Sequence, residues 1–471
     1  MKLNAIWVIL SFICLGAMSC KKTDDGLVKP NVIIIFTDDQ GYQDLGCFGS
    51  PNIRTPNLDQ MANEGTRFTN FYVTASVCCP SRASILTGRY SARNGIGGVL
   101  LPGAKGMRSS EITIAELLKQ AGYKTACFGK WHLGDQEQSL PMAQGFDEYY
   151  GLPYSNDMHL GPAQEFSPDA VFTNGYTLEK AKKDIAFNAS HTRKEIEEEG
   201  LRNLVPLLEG SKIVEYPADQ GTLTRRYFQR TINFIDKAGK DPFFVYLTPN
   251  MPHIPLFASN DFEGTSERGL YGDVVDEIDW NVGKLMSFLK ENDLDKNTMV
   301  FFTSDNGPWL GYGDMAGSAD PLRGGKFTNY EGGVRVPCVM RWPGIWEEGK
   351  TSDAIISTLD FLPTIAHYAG VEIPQNLIDG KDISRHLENT DMDLSQEIVY
   401  YTKGTEIVGV RKGEWKYLPH SGARNITEDS EPELFNLKND IEETRNVYDE
   451  YPEIVDTLSE LILNYNQSVR N

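Results

Sequence analysis

Positive charge is what this sequence is short of. Its 471 residues carry 45 Lys and Arg against 66 Asp and Glu, a formal net charge of −21. That balance argues against nucleic acid and against an anionic membrane surface as partners. An anionic ligand would have to be met by a local cationic pocket. A membrane-spanning apolar run is missing at the N-terminus: residues 5–18 are apolar, too short to cross a bilayer stably. Cysteine is sparse, seven in all, with no spacing that fits a zinc site or a disulfide framework. Cys47, Cys79, Cys127 and Cys338 therefore read as mostly buried thiols. Internal repeats and low-complexity segments are absent. What remains is a globular composition, 40% hydrophobic, long enough for one large domain and a smaller one.

The N-terminus has its own character. Lys2 precedes the apolar run, and Ser19-Cys20 follows it, the layout of a signal peptide. Residues 16–20 resemble a bacterial lipobox, with Ala17 in place of the more usual leucine. The resemblance implies removal of residues 1–19, lipidation of Cys20 by the lipoprotein processing machinery, and a polar tether over 20–29. The expected location is the periplasm or outer membrane of a Gram-negative bacterium, with the membrane touched only through the lipid.

Apolar strands alternate with helices through residues 30–370. The runs 32–36, 124–128, 243–247 and 298–302 read as buried strands, and 112–120, 222–238, 273–292 and 357–369 as helices. Such alternation predicts the α/β class with a parallel sheet. A polar loop follows each strand, carrying in turn Asp38 and Asp39, Lys130 and His132, His253, and Asp305 with Asn306. Parallel sheets bind ligands at the carboxyl ends of their strands, so these residues point to one site. Asp38-Asp39 alone reads either as a turn with solvated aspartates or as a hard-cation site. A lone histidine is more often structural than catalytic. Lys130 and His132, at i and i+2 in an extended loop, should point the same way. The glycines of 322–337 should let backbone approach a ligand and let Lys326 reach the site.

Residues 159–221 are the least regular, with a charged, solvated helix over 192–204. After 370 the texture changes. Short strands at 397–401, 407–410 and 415–417, then the stretch 433–437 and a helix over 451–465, predict a separate small α+β domain with an antiparallel sheet, 371–471.

The stretch 78–89, Cys-Cys-Pro-Ser-Arg-Ala-Ser-Ile-Leu-Thr-Gly-Arg, is a loop entering a helix. Pro80 suits the first helical position and Gly88 the end. Cys78 then sits just before a helix N-terminus, where an anion is favoured, with Arg82 as a fixed cation beside it. Cys-x-Pro-Ser-Arg followed by Leu-Thr-Gly-Arg resembles the signature of the formylglycine-dependent (type I) sulfatases. With the other loops, the resemblance extends over most of the chain and lies nearest the arylsulfatase A branch of the alkaline phosphatase superfamily.

The resemblance implies a mixed, mainly parallel sheet and a sulfuric ester hydrolase. Cys78, not Cys79, would be oxidised to formylglycine (3-oxoalanine) by a maturation enzyme. One hydroxyl of its hydrate would attack sulfur, and the other would let sulfate leave by C–O cleavage. Asp38, Asp39, Asp305, Asn306 and the modified Cys78 would hold one calcium. Arg82, Lys130 and Lys326 would bring positive charge to the sulfate. His253 would protonate the leaving alcohol with help from Lys326, and His132 would act as base in the release step. Ser155, Lys130, His253 and Lys326 would bind substrate. A sulfated carbohydrate is the expected substrate, its leaving-group end formed by 159–221 with Tyr149 and Tyr150 packing on sugar rings. Two other readings use the same residues: a formylglycine-dependent phosphodiester or phosphonate monoester hydrolase, and a catalytically dead, lipid-anchored glycan-binding protein. A two-zinc phosphomonoesterase would need more histidine ligands than His132 and His253.

Overall fold

The computed structural model describes residues 29–470 apart from 375–377, 395–396, 401–405 and 426–429. The expected leader, Cys20 and the tether as far as residue 28 lie outside the described residues. Among the described residues, no helix is long and apolar enough to cross a membrane.

Four strands carry the site: β1 (Asn31–Thr37), β2 (Lys124–Gly129), β3 (Phe243–Thr248) and β4 (Thr298–Ser304). They lie side by side in the order β4-β1-β3-β2, all parallel. Glu148–Gly151 adds a further parallel strand beside β2, and Cys338–Arg341 pairs antiparallel with β4, so the sheet is mixed. It has 11 strands in all. The central strands read as unbroken apolar runs because both faces are covered. Val32, Ile34 and Phe36 of β1 enter one core, with residues of the buried helix α1 (Cys78–Thr87) and of Phe361–Ala369. Ile33 and Ile35 enter the other, with α2 (Leu223–Ala238) and α3 (Leu270–Glu291).

The segment 159–221 is more regular than its sequence suggests. It holds a strand, Glu165–Phe172, a helix, Leu178–Asn188, and a hairpin of Leu207–Glu209 with Lys212–Tyr216, which together extend the large sheet to its edge. The charged helix expected over 192–204 is only Arg193–Glu198. Thr192 and Glu195 cap it at one end, and Gly200, at φ 76°, follows just beyond its other end.

Near the C-terminus a separate four-stranded antiparallel sheet is built from Glu397–Tyr400, Gly409–Lys412, Trp415–Leu418 and Glu433–Asn436. The helix α4 (Pro452–Arg470) lays Val455, Leu458 and Ile462 on the same cluster as Val399, Val410 and Leu434. Tyr90 and Leu359 of the preceding chain complete that cluster.

Candidate active site

The four loops do converge. Lys130 Nζ donates to Asp38 Oδ2 at 2.5 Å and lies 3.4 Å from Ser155 Oγ. Lys326 Nζ donates to Asp39 Oδ2 at 2.8 Å. Asn306 Nδ2 donates to Asp39 Oδ1 at 2.7 Å, and the Asp39 N–H donates to Asp305 Oδ1 at 3.1 Å. His253 Nε2 lies 3.4 Å from Ser155 Oγ and 3.6 Å from Asp39 Oδ2. All of these side chains are buried. Eight of the expected site residues are therefore brought into one cluster, drawn from β-strand ends and from the loops at Ser155 and Lys326.

Backbone conformations that side chains rarely adopt aim several of them. Asp39, His132 and Phe327 have φ of 62°, 57° and 70°. Non-glycine residues in that region are held there by their surroundings, and they gather at working sites. Lys130 and His132 do face the same space, but through the left-handed turn at His132 and not by extended alternation. Gly129, at φ 120°, ends β2; a Cβ there would lie 1.9 Å from the Thr248 carbonyl oxygen, so only glycine allows the turn that delivers Lys130.

Helix α1 begins at Cys78 itself, two residues before the start that Pro80 suggests. Pro80 is tolerated at the third position because the N–H groups of the whole first turn have no carbonyl to meet. Gly88 ends the helix at φ 62°. Cys78 Sγ lies 3.4 Å from His132 Nδ1. His132 Nε2–H donates to the Leu100 carbonyl at 3.0 Å, which leaves Nδ1 with its lone pair toward the sulfur. Burial lowers the His132 pKa, favouring that neutral ring. The two adjacent cysteines differ. A hydrogen bond from Cys79 and the charge of Lys130 hold the Cys78 thiol well below its usual range, against the effect of burial. Burial and the hydrogen bond to Cys78 push Cys79 well up. Its sulfur accepts the Leu100 N–H at 3.2 Å. The ionisable thiol is Cys78.

Arg82 is turned away from the open space. Its Nε donates to Asp305 Oδ2 at 2.8 Å and Nη1 to the Lys130 carbonyl at 3.0 Å, under the Phe36 ring. Only Nη2 lacks a hydrogen bond, 3.8 Å from Asp38 Oδ2. Its geometry is that of a brace between α1, β2 and the carboxylates. The glycines of 322–337 also serve differently from expectation. A Cβ on Gly325, Gly332 or Gly333 would lie 2.3, 2.3 or 2.1 Å from the carbonyl oxygens of Pro308, Gly324 and Thr328 respectively. They allow backbone to pack on backbone and so hold the Lys326 turn in shape. Tyr149 and Tyr150 are buried in the sheet, and Tyr154 is buried beside them, so none presents a ring to a ligand. Their strand is covered on both faces, where an aromatic run signals core.

The carboxylate cluster fits a hard cation. Asp38 Oδ1 and Asn306 Oδ1 are fully buried and accept no hydrogen bond. One atom each from Asp38, Asp39 and His253 lies within 4.8 Å of the others. Burial, reinforced by the charge of Asp38, pushes the Asp305 carboxyl well up, whereas Lys130, His253 and Arg82 hold Asp38 down despite its burial. Bare oxygens among crowded, dry carboxylates are the donor set that calcium or magnesium takes.

Some participants were not read from sequence. Trp309 sits edge-on to His253, centroids 5.9 Å apart, with Lys326 Nζ 4.8 Å from its ring centre. Asp157 pairs with Arg193 and Arg202 at 3.2 and 3.0 Å. Burial would raise its pKa, but His253, Arg202 and Lys326 bring it to about 2. Behind the Lys326 turn, Glu331 is fully buried. It meets Lys416 of the small sheet at 3.0 Å, Tyr72 at 2.5 Å and Arg335 at 3.3 Å. Lys416 also meets Glu443 at 2.8 Å. A buried Glu or Lys in an apolar-rich chain, as at Glu331 and Lys416, was the only available signal.

A mixed, mainly parallel sheet with a cation-ready carboxylate cluster and an ionisable cysteine at the carboxyl ends of its central strands is the layout of a metal-assisted hydrolase. The Sulfatase family matches residues 30–371, and the family N-sulphoglucosamine sulphohydrolase, C-terminal, matches 325–468. Human arylsulfatase A is 38% identical over 399 residues, covering 82% of this chain and 74% of that protein. Mouse N-acetylgalactosamine-6-sulfatase is 37% identical over 404 residues, covering 82% and 71%. The crystal structure of Ps i-CgsB in complex with k-i-k-neocarrahexaose shares 32% identity with a TM-score of 0.75, covering 93% of each chain. The PsFucS1 sulfatase from Pseudoalteromonas sp. shares 27% with a TM-score of 0.79, covering 94% and 91%. The chain belongs to the sulfatase family and is a sulfuric ester hydrolase.

Proposed function

We propose that the substrate is a sulfated carbohydrate, cleaved with Cys78 in its formylglycine form and one calcium ion bound. The observation that carries the mechanism is the pairing of Cys78 Sγ with the free Nδ1 of His132, next to the bare oxygens of Asp38 and Asn306. Formylglycine would supply a geminal diol as nucleophile, and a bound calcium would supply positive charge to activate it. Asp38, Asp39, Asp305 and Asn306 would hold that ion, with Arg82 keeping Asp305 in register. Lys130, Ser155 and Lys326 orient the sulfate and stabilise charge as it develops. His253 Nδ1 is bonded to the Ile254 carbonyl, so Nε2 faces the site and protonates the leaving oxygen. His132 Nδ1 takes the proton that must be lost for sulfate to depart. The carbohydrate reading is supported by the sugar-named relatives and by the carrahexaose bound to a structural neighbour.

The test compares kcat/KM on sulfated galactose, N-acetylgalactosamine and N-acetylglucosamine with that on nitrophenyl sulfate. A sugar should be preferred. A sugar alkoxide leaves poorly and needs its proton, whereas nitrophenolate does not. His253→Ala should therefore cost about 10²–10⁴-fold on the sugar and far less on the aryl ester. A marked preference for the aryl ester over every sugar would sink the reading.

The supporting proposals are a catalytic part over 30–370, a C-terminal part over 371–471, maturation of Cys78 by a dedicated oxidising enzyme, and export as a lipoprotein. For the last, Cys20→Ala should release the protein from the membrane fraction. Retention of the variant on the membrane would point to an uncleaved anchor.

A further inference from the structure

Beside the catalytic cluster a cleft of about 800 Å³ opens toward solvent. Its near wall holds Val77, the residue before Cys78, and Phe327, the residue after Lys326. Its far wall comes from the small C-terminal sheet and its connections, with His420, Arg424 and Asn425. The cleft therefore begins at the sequence neighbours of Cys78 and Lys326 and extends to the connections of the small sheet. A second opening, bounded by Asp157, Arg193 and Arg202, is smaller, about 170 Å³, and its two arginines are already paired with Asp157.

Arg424 is the unusual member. Its guanidinium stands over the Phe327 ring, 4.4 Å from the centroid. The side chain is exposed, and no carboxylate among the described residues pairs with it. In a chain of net charge −21, an arginine that no described carboxylate pairs with, in a cleft beside the candidate site, is conspicuous. Stacking on Phe327 restricts the guanidinium while leaving its N–H edge free, the pre-organisation that lets arginine bind an oxyanion in bidentate fashion. Glu406 is the one acid among the described lining residues, and it would repel a misplaced anion. Val99, exposed on the rim, and Phe327 offer apolar surface to a pyranose face.

We infer that this cleft seats the sugar next to the one being desulfated, and that Arg424 recognises a second anionic group on it, a sulfate or a uronate carboxylate. The inference rests on the carbohydrate reading above and adds a specificity determinant to it. The enzyme would then act on polyanionic oligosaccharides in preference to singly charged sugars, despite its own negative charge.

The experiment measures kcat/KM of the matured enzyme on three disaccharides that share one cleavable sulfate ester. The neighbouring sugar carries a second sulfate in the first, a carboxylate in the second and no charge in the third. Wild type should favour at least one charged disaccharide over the neutral one by about tenfold or more, mainly through KM. Arg424→Ala should collapse that ratio to near one, and Arg424→Lys should keep part of it. Which anion loses its advantage identifies the group recognised. A wild-type enzyme indifferent to the second charge, or a ratio unchanged in Arg424→Ala, overturns the inference while leaving sugar turnover intact. If nitrophenyl sulfate is hydrolysed and no disaccharide is, the carbohydrate reading itself has failed and the inference falls with it.

Discussion

Cys78→Ala should fold and be inert. Deleting one sulfur from a buried helix start leaves a small void, costing about 1 kcal/mol, so the melting temperature should fall by only a few degrees. Turnover should fall by about 10⁴-fold or more, as when a covalent nucleophile is removed. The loss is large because the residue would serve twice, once to attack sulfur and once to let sulfate go. The neighbouring Cys79→Ala is the control. Its thiol is pushed up by burial and occupied by the Leu100 N–H, so activity should stay within about tenfold. Mass spectrometry of the active enzyme should find an aldehyde at position 78 and an intact thiol at 79. Wild-type rates in Cys78→Ala, or an aldehyde at 79, would remove the mechanism.

Chelation should be nearly as damaging, and by a different route. Asp38, Asp39 and Asp305 are buried together, each paired with one cation, Lys130, Lys326 and Arg82 respectively. Two oxygens among them, on Asp38 and Asn306, have nothing to accept from. An ion bound there stabilises the fold by mass action, about 4 kcal/mol at a thousandfold excess over Kd. Treatment with a chelator should therefore abolish turnover and lower the melting temperature together. Calcium should restore both, and zinc should do so poorly, because the donor set is oxygen. Asp305→Ala should show both losses without chelator, since Arg82 Nε and the Asp39 N–H lose their shared acceptor. A stripped protein with full activity would make the cluster structural.

The parts of the fold that were legible share one cause. β1, β3 and β4 are buried on both faces, so their sequences are apolar throughout and stop abruptly at the polar residues they deliver. The site is legible for the same reason, since each strand end is a change of texture. Elsewhere the signal was masked. Glu165–Phe172 is an edge strand, largely exposed and interrupted by Pro168 with a register shift, so it lacks alternation. The hairpin across Gly210 does carry a turn residue between apolar runs, a signal that was there to be read. Tyr149 and Tyr150 mislead because an aromatic pair looks the same in sequence whether it lines a cleft or fills a core. Arg82 misleads because charge shows in sequence and direction does not.

Glu331, lastly, changes how the C-terminal stretch should be regarded. Its carboxylate is fully buried immediately behind the turn that carries Lys326, and much of the positive charge that balances it, on Lys416 and Arg411, comes from beyond residue 370. Removing one partner from such a buried group leaves the other uncompensated, at about 3–5 kcal/mol. In thermodynamic terms the small sheet is a counter-ion to the large one. The chain beyond residue 370 therefore supplies charge compensation to a buried acid that lies five residues past Lys326 in the part of the chain carrying the candidate site.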